Sequence, residues 1–229
     1  MALGIILLGV ATLLRADDAS NDQPLTPYQT ALLNYKTGHY DKARAAIDIA
    51  EKANPGDLPT EILKARILTE QLQFDEANKL LRSLFEKPGT TPAISDAVGI
   101  ALGDLYLRKR SFDKAAKIYE EFLAEKPTDP DLILKIVYSL VGASDLLDAA
   151  KYASQLRPLD LDHPCYYFAK AAVAQATGKA QEADDAIQTA RTIYGITVTN
   201  RYLKTYLEVF ASSDKSPASD MTPPPPAQK

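Results

Sequence analysis

Apolar positions recur along this chain with the spacing of helix faces, and the faces recur with a longer period. Ala43, Ile47 and Ala50 fall at i, i+4 and i+7, one stripe of a helix. Ala77, Leu81 and Leu84 repeat that stripe, and so do Ala115, Tyr119 and Phe122. The leading alanines, together with Ala149 and Ala183, are separated by 34, 38, 34 and 34 residues. A second series alternates with the first and carries small residues at matching places: Ala31, Ala65, Gly103, Val137 and Ala171. Large residues stand just ahead of the alanine series at Tyr40, Phe74, Phe112 and Leu146, with Ala180 as the exception. Self-similarity at this period marks an array of stacked helix pairs, each unit too small to bury its apolar face alone.

The breakers divide the array into units. Proline cannot continue a helix but suits its first turn. Pairs are therefore expected from about Pro27 to Ala53, Pro59 to Lys87, Pro92 to Glu125, Pro130 to Arg157 and Pro164 to Tyr194. Gly38 ends the first helix of the first pair. The four extra residues behind the 38-residue step lie at Thr90 to Ile94, where they form a loop or lengthen the next helix. Tyr202, Tyr206, Leu207 and Phe210 lie at helical spacing within 199–211 and predict a capping helix over the last open apolar face.

The third unit carries a specific signature. Leu102, Gly103 and Tyr106, followed by Ala115, Tyr119, Phe122 and Pro127, resemble the tetratricopeptide repeat (TPR). The resemblance extends from about Pro27 to Tyr194. It implies an all-α fold, a right-handed α-solenoid of antiparallel helix pairs, and it implies protein binding rather than catalysis. In such arrays the first helices line a concave surface. Aligning the units places Tyr28, Leu32 and Tyr35 on that surface, then Ile62, Arg66 and Thr69 from the second unit. Ile100, Asp104 and Leu107 follow from the third unit, Leu134, Tyr138 and Val141 from the fourth, and Phe168 from the fifth. This row reads as largely apolar and aromatic, with Arg66 and Asp104 as its charges, and predicts a protein or peptide ligand with apolar anchors. Members that bind chaperone tails use a basic and asparagine clamp; Leu32, Leu63 and Ala101 stand where those polar residues are expected, so that function does not transfer.

Composition narrows the picture. The formal net charge is −4 with a pI near 5.3, which argues against nucleic acid as a partner. The densest basic run, Arg108-Lys109-Arg110, reads as a solvated helix end, where cations suit the dipole. A single cysteine, Cys165, excludes an internal disulfide. His163 and Cys165 are two residues apart, but no further ligand stands at metal spacing, so they read as a helix-start histidine and a packed thiol. Ser111, Phe112, Asp113 and Lys114 match Ser-x-x-Lys without its companion motifs; Ser111 reads as an ordinary N-cap. No cofactor, metal or enzymatic activity is predicted.

Both ends differ from the array. Ala2 to Leu14 is apolar apart from Thr12 and is closed by Arg15. The run is short for a span and matches the core of an export signal over residues 1–16, with an uncleaved membrane anchor or an extra soluble helix as alternatives. The expected location is accordingly exported, periplasmic or envelope-associated, with the cytoplasm as the alternative. Residues 17–26 read as a polar linker, 27–211 as the repeat domain, and 212–229 as a disordered tail with polyproline II character at Pro223 to Pro226. Two binding modes stay open: a partner segment in the groove, or assembly through the convex face and capping helix.

Overall fold

The computed structural model describes residues 24–87, 91–158 and 163–210. The expected signal or anchor (1–16), most of the linker and the proline-rich tail lie outside the described residues. The described residues form ten helices: α1 (Pro27–Lys36), α2 (Tyr40–Ala53), α3 (Leu58–Glu70), α4 (Phe74–Phe85), α5 (Pro92–Arg108), α6 (Phe112–Glu125), α7 (Pro130–Gly142), α8 (Leu146–Ala153), α9 (Cys165–Ala176) and α10 (Ala180–Phe210). They pack as adjacent pairs into a helical solenoid.

Local chemistry starts and stops each pair. The caps of α1, α3, α5 and α7 are Thr26, Asp57, Thr91 and Asp129; each side chain accepts a backbone N–H of the first turn, and a proline follows within two residues. Thr26 and Gln29 complete a reciprocal capping box. The second helices begin at the expected large residues, Tyr40, Phe74, Phe112 and Leu146.

One turn geometry joins the two helices of every pair. Gly38, Leu72, Arg110, Ser144 and Gly178 have φ between 60° and 77°, and they repeat with the same 34, 38, 34, 34 spacing. At each turn the next residue's N–H reaches back to the carbonyl five residues earlier: His39 to Asn34, Gln73 to Leu68, Ser111 to Tyr106, Asp145 to Leu140 and Lys179 to Ala174, all at 2.8–2.9 Å. This is the Schellman closure, which satisfies carbonyls that a helix end leaves open. Three of the five left-handed positions are not glycine, so glycine-spotting alone finds only two of them.

The two alanine series occupy the contact lines. Ala43, Ala77, Ala115, Ala149 and Ala183 are fully buried, as are Ala31, Ala65, Val137 and Ala171. Where aromatic side chains cross, only glycine fits. A Cβ on Gly103 would lie 2.4 Å from the Tyr119 ring, and one on Gly99 would lie 2.1 Å from Phe122. The four extra residues of the third unit lengthen a helix: α5 has 17 residues, against 13 in α3 and α7. First helices also pack on one another, α1 on α3, α3 on α5 and α7 on α9, forming the inner layer.

Helix α10 holds both the expected end of the fifth pair at Tyr194 and the expected capping helix, and departs from expectation only in where the second arm runs. It breaks at Gly195, with φ 78° and ψ 162°, into arms 180–194 and 196–210. The second arm does cap the fifth unit, because Tyr202 stacks on Phe168 of α9 at 5.5 Å. It also runs on across the concave face to the first two units. No helix of the described residues is long and apolar enough to cross a membrane.

Candidate functional site

The concave face holds a cavity of about 540 Å³, lined by α1, α3, α5, α7 with its cap Asp129, and the second arm of α10. Eight residues of the expected row line it: Tyr35, Arg66, Thr69, Ile100, Asp104, Leu107, Leu134 and Tyr138. The other five do not. Tyr28 and Leu32 pack against the core of the first unit, Ile62 lies in the core shared by the second and third units, and Val141 and Phe168 lie in the core that runs from the third unit to the second arm of α10.

The arm covers the row at Tyr138 and Phe168. Leu134, Tyr138 and Phe168 are at most 3% exposed, so the row is not an open apolar surface. The Tyr138 hydroxyl donates to the Tyr202 carbonyl at 3.5 Å. The Tyr202 hydroxyl donates to Asp131 Oδ1 at 2.9 Å and receives a bond from Arg201. Further along, Lys204 Nζ donates to Glu70 Oε2 at 2.7 Å and to the Tyr40 hydroxyl. Arg108 lies 3.5 Å from the Glu208 carboxylate. Arg110 donates to the carbonyls of Glu208 and Val209, both at 3.3 Å, which closes the open end of the arm.

Charge fills the middle of the face. Asp104 Oδ1 accepts from Lys135 Nζ at 2.5 Å and from the Tyr119 hydroxyl at 2.7 Å. Burial works against the Asp104 charge, yet Lys135, Arg66 and the Tyr119 hydroxyl together hold its carboxyl below the usual carboxylate range. Burial and then the Glu70 charge push the Tyr35 phenol up. Arg66 projects between these groups, and its buried Nε makes no hydrogen bond. On the arm, burial raises the Glu208 carboxyl against the pull of Lys204 and Arg108. Burial and then Asp184 push the Tyr206 phenol up to about 12.

Residues 62–130 match the sequence profile of the tetratricopeptide repeat. Over this span the chain carries tetratricopeptide-repeat sequence. Among solved structures, TTC0263, a thermophilic TPR protein in Thermus thermophilus, aligns with a TM-score of 0.63 and 18% identity, over 79% of this chain and 97% of that one. MamA of AMB-1 aligns with a TM-score of 0.51 and 17% identity, over 74% of this chain and 98% of that one. At these identities the likeness shows the fold. No curated protein matches the chain.

Several expectations about the TPR array are corrected by the geometry. Arg66 and Asp104 are not the only charges of the groove; Glu70, Arg108, Asp129, Asp131 and Lys135 join them. Glu70 and Arg108 lie one helical turn beyond Arg66 and Asp104 on the same face, so extending the row by i+4 finds them. Lys109 and Arg110 are exposed, as a solvated end requires, but the run does more: Arg108 and Arg110 hold the arm, and Lys109 pairs with Asp75 at 3.7 Å. Ser111 occupies the cap position of α6, but its side chain makes no capping bond.

Cys165 is the packed thiol expected at the start of α9. Its Sγ donates to Asp131 Oδ1 at 3.3 Å, and burial followed by the Asp131 charge pushes the thiol up and keeps it protonated. The described residues contain no group of three or more His, Cys, Asp or Glu side chains able to hold a metal ion.

Proposed function

We propose that the chain is a non-enzymatic protein–protein interaction scaffold of the cell envelope whose concave face binds a helical segment of a partner. One observation carries the reading: that face already holds a helix, residues 196–210, seated through aromatic stacking and matched charges. An amphipathic helix in a groove is a common mode of recognition, and tyrosine and arginine are frequent anchors in it. The ligand chemistry differs from the sequence expectation, since the seat asks for charged and hydroxyl-bearing anchors as well as apolar ones. The envelope assignment rests on the apolar run Ala2 to Leu14.

A photo-crosslinking residue at Ile100, compared with one at Lys117 on the second-helix side, tests the reading in the native cell. Partner peptides trapped from position 100 and lost on Asp104→Arg support it. Trapping from position 117 alone refutes it. Fractionation of the same cells tests the envelope assignment.

A second reading has its own observation. Ile193, Ile196, Val198 and Leu207 of α10 are 40–65% exposed and would suit assembly with a second copy through the capping region. Light scattering at high concentration, with Ile196→Glu as the control, distinguishes it; a monomer throughout counts against it.

A further inference from the structure

The second arm of α10 is held in two different ways. Toward α9 and the first arm it is held by burial, since Thr199, Tyr202, Tyr206 and Val209 form one stripe at most 7% exposed. Toward α3 and α5 it is held by charges that solvent reaches: the Lys204 side chain is 42% exposed and Glu208 26%. Such pairs contribute little each and weaken with salt. The joint is permissive as well. Gly195 has a backbone conformation that is essentially glycine-only, and nothing lies within 4 Å of where its Cβ would be.

We propose that residues 196–210 are a detachable occupant of the concave face, and that the partner helix replacing them presents an aromatic residue, a lysine two positions on and a glutamate four positions further. The pattern copies Tyr202, Lys204 and Glu208, whose seats are complementary. Asp131 and the Phe168 ring take the aromatic residue, Glu70 and Tyr40 take the lysine, and Arg108 takes the acid. Lysine and glutamate one turn apart share an edge of a helix, so a partner can meet both seats at once. The inference rests on the proposal that the concave face accepts a helix, and adds that a partner must first displace the resident one.

The probe is a fluorescent synthetic peptide of residues 196–210, titrated into three full-length chains. These are the wild type, the double variant Lys204→Ala with Glu208→Ala, and Glu70→Cys with Lys204→Cys bridged by a short bismaleimide. Cys165 is buried and leaves the reagent to the new pair. The double variant should bind the peptide about tenfold more tightly than wild type, because its face is more often open, and the bridged chain should not bind it. Equal affinity for wild type and double variant, with bridging still blocking, overturns displacement while leaving a helix-binding face. Unchanged binding to the bridged chain places the peptide elsewhere and overturns both ideas. A bridge that joins two chains assigns the arm to a second copy and overturns the inference. Hydrogen exchange on the wild type is independent of these variants: amides of 196–210 should exchange about tenfold faster than those of α9, and equal rates overturn a detachable arm.

Discussion

Glu70 and Arg108 stand at equivalent positions of consecutive repeats, 3.8 Å apart, and both hold the same final helix arm. Glu70 takes Lys204 and Arg108 takes Glu208, so two adjacent first helices end in opposite charges that meet a lysine and an acid one turn apart. Glu70→Gln should loosen the arm without disturbing the array. The expected loss of global stability is under about 1 kcal/mol, since the Lys204 partner is well solvated. Denaturant unfolding measures it, and a loss of several kcal/mol would show that the pair supports the whole array.

Gly103→Ala should destabilise the chain by roughly 1–3 kcal/mol through overpacking, despite alanine's better helix propensity. The new methyl meets a fully buried Tyr119 ring whose hydroxyl is fixed on Asp104. Gly99→Ala should cost less, because it meets the far end of the half-buried Phe122. Urea midpoints for the two variants give the order, and the reverse order would contradict this account.

The left-handed turn residues predict opposite signs at equivalent sites. Leu72→Gly should stabilise by up to about 1 kcal/mol, since a bulky residue at φ 63° is relieved. Gly178→Ala should cost about 1 kcal/mol from backbone conformation alone, as its added Cβ meets open space. Thermal melts of both decide it; changes of the same sign would show that the turns are not equivalent.

Asp104 supplies a pH dependence of known sign. Its folded-state carboxyl is held below the ordinary 3.8, so its contribution is complete above that value and is lost as pH falls through the lower folded value. Glu208 is raised and acts in the opposite sense: its contribution is present below the ordinary 4.5 and fades as pH rises through the folded value. Asp104→Asn should flatten the acid limb of a stability-against-pH curve. An unchanged limb would mean that Asp104 does not supply it.

The fold was legible because its determinants repeat. Five buried alanines, prolines at the helix starts and a large residue opening four of the second helices each impose one local choice, and the choices agree. The candidate site was legible only where it belongs to single helices. Tyr35, Arg66, Asp104 and Tyr138 follow from register, but the cover over Tyr138 and Phe168 comes from Tyr202, 64 and 34 residues further along. The periodicity places the end of the fifth pair but not the direction of the second arm, because Lys204 with Glu70 and Glu208 with Arg108 are long-range pairs. The left-handed turns at Leu72, Arg110 and Ser144 are hidden from residue type, because closure of the pair overrides residue preference, and only their register with Gly38 and Gly178 marks them.

The long helix α5 carries a rule about chain length. Its four additional residues amount to about one turn, which returns Gly103, Asp104 and Leu107 to nearly the faces they would hold in a unit of ordinary length. A two-residue insertion at the same place would swing Asp104 by roughly 200° away from Lys135 and Tyr119. Length changes at this unit are therefore tolerated in whole turns, and the spacing between repeats can grow only in steps that preserve the inner face.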